Sequence, residues 1–182
     1  MNVVDKSKYD NSWYRPGSRL KILIWFYVNV VFIKSSLIFS SRIKVLVLRA
    51  FGAKIGANVT IKPGVSVKYP WKLIVEDYVG IGENVWIDNL AFVKIGRQTT
   101  ISQGALLLTG SHDHSKSTFD LIVGDIVIED GVWIGANAMV CQNVTCKSHS
   151  MLAAGSLAIT DLNAYQIYGG SPAKIIKERV VG

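Results

Sequence analysis

Along most of this chain a large aliphatic residue is followed four places later by a small or β-branched one. Ile55 pairs in this way with Val59 and Ile61 with Val65, and Val67 keeps the register. After an offset come Ile81 with Val85 and Ile87 with Ala91. After another come Ile95 with Thr99 and Ile101 with Ala105, ending at Leu107. The pattern stops there and resumes with Ile128 and Val132, Ile134 and Ala138, Val140 and Val144, Cys146 and Ser150, and Leu152 and Ser156. Successive leads within a run stand six residues apart, which is not the 3.6-residue period of an amphipathic helix. Hexads that recur in this way mark a parallel β-helix over about residues 44–160. One six-residue face is too short to bury its apolar side alone. Three faces close a triangular coil, and each lead aliphatic rests on its counterpart in the next coil. Gly56, Gly82, Gly96 and Gly135 directly follow a lead, where they allow close backbone approach or a positive φ. The offsets near residues 70–80 and 88–95 read as insertions at corners.

The flanks follow other rules. Residues 1–43 are rich in aromatics and are expected to form a helical cap. Within them Ile22–Ile33, "ILIWFYVNVVFI", is strongly apolar, bracketed by Lys21 and Lys34 and interrupted by Asn29. It is about half the length that spans a bilayer. Two readings stand: a helix covering the open end of the solenoid, or an amphipathic element lying on a membrane face. Beyond the hexads, residues 161–182 read as a turn and a short C-terminal helix, with Ser171 as N-cap, Pro172 at the first helical position, and Ile175 and Ile176 packing down.

Composition narrows the classes. Of 182 residues 49% are hydrophobic and 18% charged, which fits a globular domain. The net charge of +7 points to an acidic partner, whether a membrane surface, a phosphorylated cofactor or nucleic acid. The basic residues look scattered along the chain and no nucleic-acid-binding motif is present, so nucleic acid is set aside. Cys141 and Cys146 form neither a CxxC pair nor a secreted framework and read as reduced thiols of a cytoplasmic protein. No cleavable signal sequence is recognisable.

The break in the hexads is "LLLTGSHDHSKSTFDLIVGD", Leu106–Asp125. A polar, histidine-bearing stretch inside so regular a pattern reads as a loop extruded over about residues 108–126. A neutral imidazole there is suited to taking a hydroxyl proton near pH 7. His114 reads as an ordinary loop residue and His149 as a surface residue.

The hexads, the loop "TGSHD", the following "VWIGANA" and the terminal "GGSPAKIIK" together resemble the hexapeptide-repeat O-acetyltransferases. "KYPWKL" (Lys68–Leu73), "WIDNL" (Trp86–Leu90) and "ISQGALLLTGSHD" (Ile101–Asp113) resemble the branch that serves colanic acid and related exopolysaccharides. The resemblance implies an all-β fold, a left-handed parallel β-helix, assembled as a homotrimer, with acetyl-CoA as donor and no metal. The implied acceptor is a sugar hydroxyl, free or lipid-linked. His112 matches the catalytic histidine. Asp88 and Asn89, one coil before the loop, fall where relatives bind acceptor, unless they hold a corner. Asp113 could bind sugar hydroxyls or orient the imidazole. Trp133 matches a tryptophan of the CoA site, Gly135 and Ala136 the place where a backbone N–H meets the thioester carbonyl, and Gly155 and Ser156 the same wall one coil on. Lys174 and Lys177 match basic positions near the CoA phosphates. Two departures stand out: Thr160 and Asp161 occupy the place of the family's basic residue, and "CQNVTCKS" replaces the usual "PGVTIG" turn. Competing readings are a metal-binding hydratase of the same fold, a non-catalytic trimeric scaffold, and an acetyltransferase for an antibiotic or other small acceptor. The expected place is the cytoplasm, with the inner face of the membrane as the alternative.

Overall fold

The computed structural model describes residues 3–182. The hexads form three flat faces of parallel strands. Lys54–Ile55, Leu73–Val75, Val93–Ile95, Ile126–Ile128 and Thr145–Cys146 make the first face. Thr60–Ile61, Gly80–Ile81, Thr100–Ile101, Trp133–Ile134, Met151–Leu152 and Gln166–Gly170 run through the second. Ser66–Val67, Trp86–Asp88, Leu106–Leu108, Met139–Cys141 and Leu157–Ala158 make the third. The chain visits the faces in that order on every coil, as a parallel β-helix requires.

Registers explain the period. Ile55 pairs with Val75, Val75 with Ile95, Ile95 with Ile128 and Ile128 with Cys146, all of them buried. Ile61, Ile81, Ile101, Ile134 and Leu152 form the same column on the second face. Burying each such side chain contributes about 1.5–3 kcal/mol. The glycines after the leads do not adopt positive φ. A Cβ on Gly135 would lie 2.5 Å from the Ala154 nitrogen, and one on Gly82 2.6 Å from that of Gln103. Close approach of the next coil is therefore what excludes a side chain there. Left-handed corner positions are shared among asparagines such as Asn58, Asn84 and Asn137, glycines such as Gly64 and Gly104, and a few larger residues.

The N-terminal segment caps the solenoid, and the cap is longer than the sequence pattern set it. Helix α1 spans Arg19–Val28, a π turn follows over Asn29–Ile33, and helix α2 runs Ser41–Ala50, so regular coils begin at Lys54 and not near residue 44. Trp25, Ile33, Val45 and Leu48 are buried against the first coil. That coil has no neighbour below it to donate to its carbonyls, and the cap supplies donors instead. Trp25 Nε1 donates to Val67 O (2.9 Å), Ser41 Oγ to Ile61 O (3.3 Å), Lys44 Nζ to Lys62 O (2.9 Å) and the Arg49 guanidinium to Ile55 O and Gly56 O. This accounts for a fully buried lysine.

The C-terminal end corrects the sequence reading. Residues 166–178 form no helix: Gln166–Gly170 and Ala173–Glu178 pair as an antiparallel hairpin on the edge of the second face. Ser171 and Pro172 sit at its turn rather than at a helix start. Continuing the second face satisfies the edge of Met151–Leu152, an option that local capping signals do not reveal.

Candidate functional site

Three successive coils carry insertions at one corner, between the third and first faces. The lowest is a short 3-10 turn at Pro70–Lys72, the next spans residues 89–92, and the third is the loop, in which Gly110–His112 pairs antiparallel with Leu121–Val123. They are pinned to one another. Asn89 accepts from Tyr69 N (2.9 Å) and donates to Tyr69 O (2.6 Å). Thr109, buried at the root of the loop, donates to Asp88 O (2.9 Å) and accepts from Ala91 N (3.0 Å). Asp125 Oδ1 accepts from Phe92 N (2.8 Å), which closes the neck of the loop.

His112 is half-buried on this loop. Its Nδ1 lies 3.0 Å from the carbonyl of Phe119, and its ring stacks on that of Phe119 at 4.4 Å and 10°. A carbonyl only accepts, so Nδ1 carries the proton of the neutral ring and Nε2 keeps a free lone pair. Phe119 holds φ +55°, unusual for a bulky residue. The N-terminal strap packs over the loop, a contact with no local signature in sequence. Asp5 N donates to Ser117 O (2.8 Å), Lys6 Nζ lies 5.2 Å from the Phe119 ring centre, and the Tyr9 ring is 5.9 Å from that of His112. Farther along, Tyr14 donates to Leu90 O (2.7 Å) and Trp71 Nε1 to Pro16 O (2.6 Å). Burial pushes the Tyr14 and Tyr69 phenols up, which keeps both neutral, and Tyr14 serves as a donor.

The other carboxamide and carboxylates separate by role. Asp88 is buried, and its Oδ1 forms an ion pair with Lys68 Nζ at 2.8 Å. A cleft of about 290 Å³ ends at this pair and is lined also by Trp25, Phe26, Val30 and Trp86. Asn89 does not face it: both its amide atoms are taken by Tyr69, so it holds the corner instead of offering an acceptor contact. Asp113 likewise closes a turn, accepting from Ser115 N (3.0 Å) and Oγ (2.6 Å), and these bonds lower its pKa. It is not bonded to the imidazole.

The residues expected to meet a CoA lie elsewhere, on the second face and its far corner. Trp133 is exposed and donates from Nε1 to Ser102 Oγ (2.9 Å). Trp133 pairs with Met151, Met151 with Ile167 and Ile167 with Lys177, so these four residues form one lateral row. At about 4.8 Å per strand the row spans roughly 14 Å. A bulge at Ile176 sets Lys174 opposite Gly169 and Lys177 opposite Ile167, which puts both lysines on the outward side. The Gly135 amide is engaged by Leu152 O (2.7 Å), which removes it as an oxyanion donor. At the preceding corner the equivalent amides of Ala57 and Arg97 are capped by Asp77 and Asp130. Ala154 stands where such a cap would be for Ala136, and the Ala136 amide has no acceptor among the described residues. Gly155 donates to Ala136 O (2.8 Å). Ser156 is buried and accepts from Gly170 N (3.0 Å), so it anchors the terminal hairpin and its hydroxyl does not line the wall. Asp161, in place of the basic residue, caps Thr145 N (2.8 Å). No cluster of His, Cys, Asp or Glu suited to a metal occurs among the described residues.

A triangular solenoid of hexads with one extruded histidine loop defines the class of hexapeptide-repeat acyltransferases, and comparison with known proteins places the chain within it. It is 36% identical over 167 residues to WcaF of Escherichia coli K12, a protein named as a colanic acid biosynthesis acetyltransferase, with 92% of each chain covered. The chain belongs to this family of hexapeptide-repeat acetyltransferases. A probable macrolide acetyltransferase of Lysinibacillus sphaericus is 41% identical over only 56 residues, 31% of each chain. Among solved structures, a hexapeptide-repeat acetyltransferase of Vibrio cholerae superposes with TM-score 0.80 at 25% identity, covering 89% of this chain and 92% of its own, and it has also been solved with acetyl-CoA. A maltose O-acetyltransferase of Clostridium difficile shares the fold at 16% identity, TM-score 0.75 and 90% coverage of both chains. No family model matches the chain.

Proposed function

We propose that the protein transfers the acetyl group of acetyl-CoA to a sugar hydroxyl in the building of a surface polysaccharide, with His112 as general base. The observation that carries this reading is the Nδ1 contact with Phe119 O, which leaves Nε2 as the basic nitrogen on an extruded loop. The acceptor hydroxyl attacks the thioester carbonyl while its proton passes to Nε2. The charge that develops on the carbonyl oxygen is met by the Ala136 N–H. The C–S bond then breaks, and the proton on Nε2 goes to the departing thiolate. The Asp88–Lys68 ion pair lines the cleft and supplies polar contacts to the sugar. Lys174 and Lys177 pair with the CoA phosphates.

The base and the donor wall occupy different corners of one chain. The loop leaves between the third and first faces, whereas Trp133 and Ala136 lie on the second face and at its corner with the third. A working site therefore needs the loop of one copy against the wall of another, which a ring of three copies supplies at each of its interfaces. The test is acetyl transfer from acetyl-CoA to the repeat-unit saccharide of the producing cell, followed by mass spectrometry. The wild type adds an acetyl group, and His112→Ala, still folded and of unchanged oligomeric mass, does not. Full turnover by that variant would overturn the reading.

A further inference from the structure

One helical surface of the cap faces solvent with nothing covering it. In α1 and the π turn, Leu20, Leu23, Ile24, Tyr27, Val30 and Val31 recur at spacings of three, one, three, three and one residues, which is a single stripe of a helix. Each is 46–66% exposed, whereas Trp25 and Ile33 on the opposite side are buried. Leu37, Phe39 and Leu46, elsewhere in the cap, are exposed as well, at 87%, 77% and 63%. A contiguous patch of this kind marks a binding surface. No helix among the described residues is long and apolar enough to cross a membrane.

Charge selects the occupant. The positive charge is not scattered, as spacing alone suggested. Residues 11–75 hold eleven Lys and Arg and no Asp or Glu, while the rest of the chain holds nine against thirteen. Arg15, Arg19, Lys34 and Arg42 flank the stripe and are exposed. Self-association through a two-fold contact would set these cations against themselves. An apolar stripe between flanking cations matches a surface whose anionic headgroups overlie acyl chains, where the long basic side chains reach outward as the stripe sinks in.

We propose that the outer face of α1 and the π turn docks the protein flat on an anionic lipid bilayer. Docking does not depend on the acetyl-transfer reading. Where that reading also holds, docking sets the mouth of the cleft that leads to Asp88 at the bilayer surface, because Phe26, Val30 and Lys34 line that cleft. An acceptor carried on a lipid would then reach the site without leaving the membrane.

The test is flotation of the full-length protein with vesicles of phosphatidylcholine alone and of phosphatidylcholine with phosphatidylglycerol. Binding is expected roughly tenfold or more in favour of the anionic vesicles, falling as salt is raised. The double variant Leu23→Ser, Tyr27→Ser is expected to lose binding while keeping its oligomeric mass, and His112→Ala to bind as the wild type does. Failure of the wild type to float with anionic vesicles, or equal binding to both kinds, overturns the proposal. A change of oligomeric mass in the double variant also overturns it, because the stripe is then an interface between copies. Loss of acetyl transfer in His112→Ala with binding retained separates this proposal from the catalytic one.

Discussion

Phe119 holds His112 twice: its ring stacks on the imidazole at 4.4 Å, and its carbonyl accepts a hydrogen bond from Nδ1–H, with N···O 3.0 Å. One residue thereby sets both the plane of the ring and its tautomer. The left-handed φ of Phe119 turns ring and carbonyl toward the same partner. Phe119→Ala keeps the carbonyl and removes the stack. A lost aromatic contact of about 1 kcal/mol lowers kcat by roughly five- to tenfold, with little change in KM for acetyl-CoA. His112→Ala lowers kcat by about 10²–10⁴. Phe119→Tyr restores kcat. Steady-state kinetics on the three variants checks this, and a Phe119→Ala enzyme with wild-type kcat removes Phe119 as a positioning residue.

Asp88 and Asn89 are neighbours with different tasks. Asp88→Asn is expected to raise KM for the acceptor with KM for acetyl-CoA unchanged, since it removes the charge paired with Lys68 in the cleft and leaves the donor wall untouched. Asn89→Ala leaves the Tyr69 N–H and carbonyl without their buried partner, which costs about 1–3 kcal/mol of stability. Denaturant unfolding together with kinetics distinguishes them: the first variant should be kinetically impaired and stable, the second unstable.

Lys44 is buried against the first coil with one hydrogen bond and no acidic partner, and burial lowers its pKa below 10.5. The protonated amine is thus disfavoured in the folded state and favoured in the unfolded one. At low pH the wild type carries the full penalty. As pH rises through the folded pKa toward the unfolded value of 10.5 the penalty disappears. The stability of the wild type relative to Lys44→Met should therefore climb with pH in the alkaline range and level off above the unfolded pKa. Urea unfolding of both proteins across that range gives the difference, and a difference that falls with pH would contradict it.

Cys146 continues the buried aliphatic column of the first face, and burial pushes its thiol up to about 12. It should resist thiol-directed reagents in the native protein at pH 8 and react at once in denaturant. Cys141 is half-buried and should label first. Mass analysis of partially labelled protein orders the two.

The solenoid was readable in sequence because its core is strictly local in period. Each coil repeats one apolar column, so even Cys146 and Ser150 could be placed in register. The loop that carries His112 was readable because it interrupts that period. What depended on distant partners was not. The strap of Asp5, Tyr9 and Tyr14 meets the loop and corner from about 75 to 110 residues away and carries no periodic mark. Ser171 and Pro172 signal a helix start locally, yet the open edge of Met151–Leu152 draws the segment into a strand. Asn89 stayed open between acceptor contact and corner residue because the sequence cannot show that Tyr69 occupies both ends of its amide.

The proposed division of the site between copies allows a complementation test. His112→Ala removes the base and leaves the wall intact. The double variant Trp133→Ala, Lys174→Ala damages the wall and leaves the base intact. Each alone should be nearly inactive. If the two are unfolded together, mixed equally and reassembled into trimers, a site works when its loop comes from the second variant and its wall from the first. Random assembly makes roughly one site in four of that kind, so about a quarter of wild-type activity should return. A site contained within one chain predicts no recovery, because every chain then carries a defect in its own site. Activity of the mixture, measured beside each variant refolded alone, decides between the two arrangements.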